Sequence, residues 1–514
     1  MKKRRFFFLF FNGLLNGISI SILILFPVII FTYFNFIKIL INETSLKRNF
    51  FNGWVFGSGF FLGSMYWIVS PFLVYEKHYI FAPFILILFP LLMGLFFCFP
   101  AVCTSILNKK INLKSNSFLY LKSFVLSLFF FFSEILRSKL FGGLPLNLTA
   151  HILAFNSSLI QFGKIFGVFG VSFLTLNWFI ILANSILKKQ KKTFFAIIFF
   201  VPASLIIFDK FSNHILQKND HNKLKVRVVQ PNIPQEKKWD RLYMQEHIDK
   251  LIYLTNKNNV DEEKKLIVWP EVAVTFYLNK EYELQKYIQD RIPENFTLVT
   301  GALRRDFSKG RAALYNSLYL IQGEKVFIYD KKRLVPFGEF IPLRNFFDLV
   351  KLTPGSTDYS SGKGNNKMLV EIGNQRIDFE PSICYEAIFQ TFSYEEVSLL
   401  INITNDAWFG NFSGPKQHLA ASIFRSVEKG IPLLRSANSG ISVITNERGK
   451  ILETIDLNES GFIDLEITLG KNLTPFMRFG NLMVLILIFS IMMASLLMDG
   501  IIFNFKKRLK TTRI

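Results

Sequence analysis

Apolar residues follow two patterns along this chain. Over roughly the first 210 residues they form long, nearly continuous runs broken by short polar and basic loops. From Leu224 onward they shrink to short pieces alternating with polar stretches, and one more long run returns near the end. A helix needs about 20 apolar residues to cross a bilayer core. The run from Phe6 to Ile41 is too long for one span. Asn12, Gly13, Asn16 and Gly17 interrupt it early and Pro27 later, which predicts a tight pair of helices. Further spans are predicted at Gly53–Tyr75, Ile80–Cys103, Phe118–Leu136, Ser158–Leu187 (its first part interfacial), Thr193–Phe208 and Leu482–Ile502, eight in all.

The middle segment reads differently. Leu224–Val229, Leu266–Trp269, Thr297–Gly301, Leu314–Ile321, Lys325–Tyr329, Met368–Ile372, Ile377–Ser382, Leu399–Asn402, Pro432–Ser436 and Ile441–Thr445 have the composition of strands. Trp239–Asn256 and Gln417–Lys429 have the apolar spacing of amphipathic helices. Strands and helices interleaved in one stretch predict a layered α/β domain. Thr353–Lys367, rich in Gly, Ser and Asn, reads as a surface loop. The expected organisation is a membrane bundle over 1–209, an α/β domain over 210–478, and a last helix with a basic tail over 479–514.

Composition sharpens this picture. The chain is 50% hydrophobic and 19% charged, with 3 Cys in 514 residues, which excludes a disordered chain, a disulfide scaffold and a wholly soluble enzyme. Its net charge of +22 has a simpler source than nucleic acid. Lys2–Arg5, Lys47 with Arg48, Lys109 to Lys114, Lys188 to Lys192 and Lys506 to Arg513 all fall on one side of the membrane if the spans number eight. By the positive-inside rule that side is cytoplasmic, both termini lie there, and the α/β domain lies outside. The N-terminal run exceeds a signal-peptide core and lacks a small-x-small cleavage site, so a retained anchor is expected. Gly13-x-x-x-Gly17 and Gly59-x-x-x-Gly63 permit close helix packing.

Candidate chemistry is confined to the α/β segment, whose only cysteine is Cys384. By itself Cys384 is either a buried structural thiol or a nucleophile projected from a strand end. A thiol nucleophile needs a proton acceptor and a group that stabilises the oxyanion it creates. His214, His221, His247 and His418 carry no recognisable Cys/His signature. Leu266–Glu271 puts a carboxylate just past a strand, and Tyr329–Pro342 puts a Lys and a Glu beside a Pro-Phe-Gly turn. Each alone reads as a solvated strand end. No His-Glu-x-x-His, Cys-x-x-Cys or Gly-rich phosphate loop is present, so metal and nucleotide chemistry find no support. Few charges interrupt the spans, which disfavours a transporter.

Glu, Lys and Cys in that order, each at a strand end, resemble the nitrilase superfamily. With its spans, the chain as a whole resembles the apolipoprotein N-acyltransferases. The resemblance rests on Val228-Val229-Gln230-Pro231-Asn232-Ile233-Pro234-Gln235 followed by Lys238-Trp239-Asp240, and on Trp269-Pro270-Glu271 and Tyr315-Asn316-Ser317. It continues through Lys331 to Glu339, Ile383-Cys384-Tyr385-Glu386, Asn402-x-Thr404-Asn405-Asp406-x-Trp408-Phe409 and Leu434-Arg435-x-Ala437-Asn438-x-Gly440. Ile431 departs from the family, which often has Arg there.

The resemblance implies an αββα sandwich attached to a helical membrane bundle. It implies Glu271 as general base, Lys331 as oxyanion stabiliser and Cys384 as nucleophile. Glu339 would be a second essential carboxylate, and Trp239, Tyr385 and Glu386 supporting residues. It implies a ping-pong acyl transfer, without metal or organic cofactor, in the bacterial inner membrane with the catalytic domain on the periplasmic side. The donor would be a phospholipid such as phosphatidylethanolamine. The acceptor would be the α-amino group of the S-diacylglyceryl cysteine of an apolipoprotein, and the enzyme a monomer. A membrane-tethered amidase with water as acceptor, and an inactive binding scaffold, are the alternatives. Lys331 beside Cys384 is expected to lower the thiol pKa. Phe337–Leu352 reads equally as a lipid-contacting arm or as a core helix with an exposed edge.

Overall fold

The computed structural model describes residues 2–511 apart from 115–116, 217–221, 259–264, 308–312, 343–350, 353–356, 365, 392–395 and 471–473. The centre of the expected lipid-contacting arm and His221 therefore lie outside the described residues. The chain divides into two compact units. One comprises Met1–Ile68, Pro83–Gln217 and Thr474–Ile514, the other Val69–Ala82 and Lys218–Leu473.

The first unit is helical: α1 (Lys2–Ser19), α2 (Phe26–Asn42), α3 (Leu46–Met65), α4 (Ala82–Gly94), α5 (Cys98–Lys110), α6 (Leu119–Lys139), α7 (Gly163–Leu187) and α8 (Lys191–Leu216), closed by a C-terminal helix, Leu482–Thr511. Among the described residues six helical stretches are long and apolar enough to cross a membrane, and α2 is apolar but shorter. This is a membrane protein. The helical pair falls where expected, but its break lies between Ser19 and Phe26. Asn12, Gly13, Asn16 and Gly17 sit inside α1 and do not interrupt it. Their polar groups are satisfied within the bundle: Asn16 Nδ2 donates to Thr32 Oγ1 at 2.7 Å, and Asn35 Nδ2 to Asn12 Oδ1 at 3.0 Å. The glycines seat α1 against α3 with reciprocal backbone contact. A Cβ on Gly17 would lie 2.1 Å from the Phe60 carbonyl oxygen, and one on Gly59 2.1 Å from that of Phe10.

The second unit has thirteen strands in two sheets among its described residues. The first holds β1 (Lys223–Gln230), β2 (Lys265–Val268), β3 (Val274–Tyr277), β4 (Phe296–Asp306), β5 (Ala313–Gln322), β6 (Lys325–Asp330) and the last strand of the chain. The second holds β7 (Met368–Ile372), β8 (Gln375–Ile383), β9 (Leu399–Thr404), β10 (Leu433–Ala437), β11 (Ser442–Thr445) and β12 (Ile451–Ile455). With β13 (Gly461–Thr468), the first sheet runs β13-β1-β2-β4-β5-β6, with β3 beside β4, and the second runs β12-β11-β10-β9-β8-β7. Strands β1, β2 and β4 are mutually parallel, as are β8, β9 and β10.

Val226, Val268, Val299 and Leu318 of the first sheet share one core with Phe379, Ile401 and Ile403 of the second. A separate cluster joins Ile267, Trp269 and Leu298 to α9 (Met244–Asn256) and to Ile288 of α10 (Tyr282–Gln289). Helix α11 (Ser413–Lys429) meets the second sheet, its Ser422 accepting from Arg435 of β10 at 3.0 Å.

All ten expected strands are present. Helix α9 starts at Met244 rather than Trp239, because Pro234 to Tyr243 is taken up by successive turns. Strands β3, β12 and β13 and helix α10 were not anticipated. β12 is nearly all solvent-facing and β13 only partly buried, so the alternation that marks a strand is faint there.

Candidate active site

The ends of parallel strands bring the predicted residues together. Glu271 lies three residues beyond β2, in a loop held closely to β4. Gly301 of β4 permits that approach: a Cβ there would sit 2.4 Å from the Val272 nitrogen and 2.7 Å from Glu271 Cα. Val272 is left at φ +45°, which a β-branched residue adopts only under constraint. Lys331 directly follows β6, its N–H bonded to the Asn316 carbonyl at 2.9 Å. Cys384 directly follows β8 at φ +49°, at the start of a short helical turn.

Lys331 is 1% exposed and lies between two carboxylates, Glu339 Oε1 at 2.9 Å and Glu271 Oε1 at 3.3 Å. Asn316 donates to the same two oxygens, at 2.9 and 2.8 Å. The second oxygens are fixed by the main chain: Asn405 N–H donates to Glu271 Oε2 and Val335 N–H to Glu339 Oε2, each at 2.8 Å. Burial alone would lower the Lys331 pKa, but the charges of Glu339 and then Glu271 raise it well above its usual value. Lys331 is therefore an ammonium at any working pH.

Cys384 runs against expectation. Burial and then the Glu271 charge push its pKa up, and the opposing pull of Lys331 and a hydrogen bond with Thr404 do not offset them. Cys384 therefore carries a neutral thiol. Its carbonyl accepts from His418 Nε2 at 2.9 Å, while His418 Nδ1 meets Asp406 Oδ1 at 2.8 Å. Asp406 also accepts from Arg435 Nη2 at 2.6 Å and Thr404 Oγ1 at 2.9 Å. His418 thus holds the Cys384 backbone, a task no spacing in the sequence signals.

Glu386 ties the Cys384 turn to the Lys331 loop. One of its oxygens accepts from the N–H of Ile383 at 2.8 Å, and the other from the N–H of Lys332 at 2.7 Å and from Tyr329 Oη at 3.0 Å. The Tyr385 ring meets Phe389 edge-on, with centroids 5.1 Å apart. Trp239, half-buried, packs against Val272, Leu303 and Tyr359, next to Glu271. Its indole N–H has no hydrogen-bond partner among the described residues.

Lys238, Asn316 and Asn405 were quoted in motifs without a role, and all three touch Glu271. Lys238 Nζ donates to the Glu271 carbonyl at 3.1 Å. No group of three metal-ligating side chains occurs among the described residues.

Residues 225–471 match the carbon-nitrogen hydrolase family, and residues 12–181 the apolipoprotein N-acyltransferase N-terminal domain. An apolipoprotein N-acyltransferase of Rickettsia bellii is 32% identical over 88% of this chain and 89% of its own. One of Rickettsia prowazekii is 34% identical over 94% and 97%, and one of Brucella suis 31% over 80% and 78%. On these similarities, and with both family regions in one chain, the protein belongs to the apolipoprotein N-acyltransferase family and is an acyltransferase.

Proposed function

We propose that this protein moves an acyl chain from a membrane phospholipid, typically phosphatidylethanolamine, through a Cys384 thioester to the α-amino group of a diacylglyceryl apolipoprotein. The observation that carries the reading is the pairing of a buried neutral thiol with a buried Glu271–Lys331–Glu339 cluster whose charges it feels. Glu271 takes the thiol proton as sulfur attacks the ester carbonyl. A carbon–sulfur bond forms, and the carbonyl π pair moves to an oxyanion held by Lys331. Collapse expels the lysophospholipid alkoxide, which takes up the proton from Glu271. The acceptor amine then attacks the thioester and gives a proton to Glu271; collapse expels the Cys384 thiolate, which takes that proton back, and leaves the amide.

Glu339 orients Lys331, Glu386 fixes the distance between nucleophile and lysine loops, and Trp239 and Tyr385 line the approach. No metal or organic cofactor enters these steps. The catalytic region is read as an αββα sandwich over 210–478, between an N-terminal bundle (1–209) and a final span (479–514). Eight crossings, both termini in the cytoplasm, a periplasmic site in the inner membrane and action as a monomer complete the reading, supported by the one-sided basic loops.

Intact mass spectrometry of the full-length protein with phosphatidylethanolamine, beside Cys384→Ala, tests it. A hydroxylamine-labile gain of one acyl chain on wild type alone is expected. No adduct on reduced wild type overturns the thioester. An adduct discharged by water as fast as by a diacylglyceryl peptide would make the enzyme a hydrolase.

A further inference from the structure

The site contains a second buried ammonium. Lys238 is 1% exposed, and its Nζ donates to the neutral carbonyl of Glu271. An ammonium has three N–H donors, and burying one without a direct carboxylate partner is costly. The contacts among the described residues use one of the three. Lys331 contrasts with it: two of its donors are engaged by Glu339 and Glu271, which leaves one for a reacting oxygen. A developing oxyanion is best held by more than one donor.

We propose that Lys238 is a second oxyanion donor of the acyl-transfer reaction, acting beside Lys331 while also anchoring the Glu271 loop. The assignment rests on the thioester reading above. When sulfur adds to the ester carbonyl and the π pair moves to oxygen, an N–H of Lys238 meets that negative charge. The ammonium keeps its proton throughout, and that N–H contact is released when the tetrahedral centre collapses.

The charged surroundings fit this role. Burial lowers the Lys238 pKa to about 8, against the upward pull of Glu271. From α9, His247 also feels the Lys238 charge. Lys238 is thus cationic near neutrality and loses its charge in mild alkali.

The test follows thioester formation by rapid-quench mass spectrometry on the full-length protein with phosphatidylethanolamine. Lys238→Met is expected to slow acylation about 10²-fold or more with KM little changed. Lys238→Arg keeps a charge at all working pH. It should retain acylation within about tenfold of wild type, and its rate should persist above the pH at which the wild-type rate falls. A role confined to anchoring the Glu271 loop would leave that alkaline limb in place. Acylation of Lys238→Met at the wild-type rate, or superimposable alkaline limbs for Lys238→Arg and wild type, overturns the proposal. If Lys238→Met does not fold, the comparison of limbs decides alone. A wild type that forms no thioester removes the underlying reading and this assignment with it.

Discussion

The two units treat polarity in opposite ways. In the helical unit large apolar side chains point outward: Phe7, Phe199 and Leu485 are each more than 60% exposed. Polar groups turn inward and meet closely matched partners. Glu134 accepts from the Thr149 N–H and hydroxyl at 2.9 and 2.6 Å, and Arg137 Nη1 donates to the Leu144 carbonyl at 2.6 Å. In the catalytic unit the apolar residues lie between and behind the sheets, and charge gathers at strand ends with capacity left over. In lipid, an interior polar group that found no partner would be a net loss, so pairing there is structural. At the candidate site, the incompletely paired Lys238 costs stability that a reacting carbonyl oxygen would offset.

The sharpest way to break this comparison is to remove the cation that both carboxylates share. Lys331→Met leaves Glu271 and Glu339 buried on either side of Asn316 without the cation that both contact. Acyl transfer should fall by more than about 10³-fold, and folding should lose about 3–5 kcal/mol near neutral pH. Denaturant unfolding read beside thioester yield checks both. A variant as stable as wild type would mean that the carboxylates do not depend on Lys331.

How much of this was legible follows the same divide. Spans declare themselves by length and loop charge, because lipid selects on a property that is additive along the chain. The exception is instructive. Asn12 and Asn16 read as a break because sequence cannot tell which face of a helix a polar residue occupies, and here that face meets Thr32 and Asn35. At the candidate site, Glu271, Lys331 and Cys384 could be singled out because each follows a strand inside a distinctive motif, and Glu339 because it sits beside the Pro-Phe-Gly turn of one. Asn316 and Asn405 lay in such motifs too, but their contacts with Glu271 span 45 and 134 residues. The Asp406–His418–Arg435 group draws on three segments, and no local period signals it.

A pair of glycines sharpens the comparison with smaller changes. Gly301→Ala drives a methyl into the Val272 nitrogen and displaces Glu271. The expected cost is about 10²-fold in acylation, the scale of a 1 Å misplacement, beside about 1–3 kcal/mol of stability. Gly17→Leu wedges α1 from α3. It should lower the thermal midpoint and the folded yield, while acylation per folded molecule stays within about threefold of wild type. Both measured on one preparation, opposite ratios of rate loss to stability loss are expected. Equal ratios would show that the two units do not behave independently.

The smallest effect concerns Asp406. Burial alone would raise its pKa, but Arg435 and then His418 outweigh that and hold it below its usual 3.8. A carboxylate depressed in the folded state contributes stability that is complete above its unfolded pKa and is lost as pH falls through its folded one. Wild type should therefore hold a constant advantage over Asp406→Asn from about pH 7 to pH 5. Below 3.8 the advantage should narrow, by on the order of 2 kcal/mol in all, as the wild-type carboxylate takes up its proton. Urea midpoints of the two proteins at stepped pH give the difference. Because His418 also holds the Cys384 carbonyl, the variant should lose acylation rate even where it is fully folded. A difference in midpoint that does not change with pH would mean that Asp406 keeps its partners by hydrogen bonding alone, without depending on its charge.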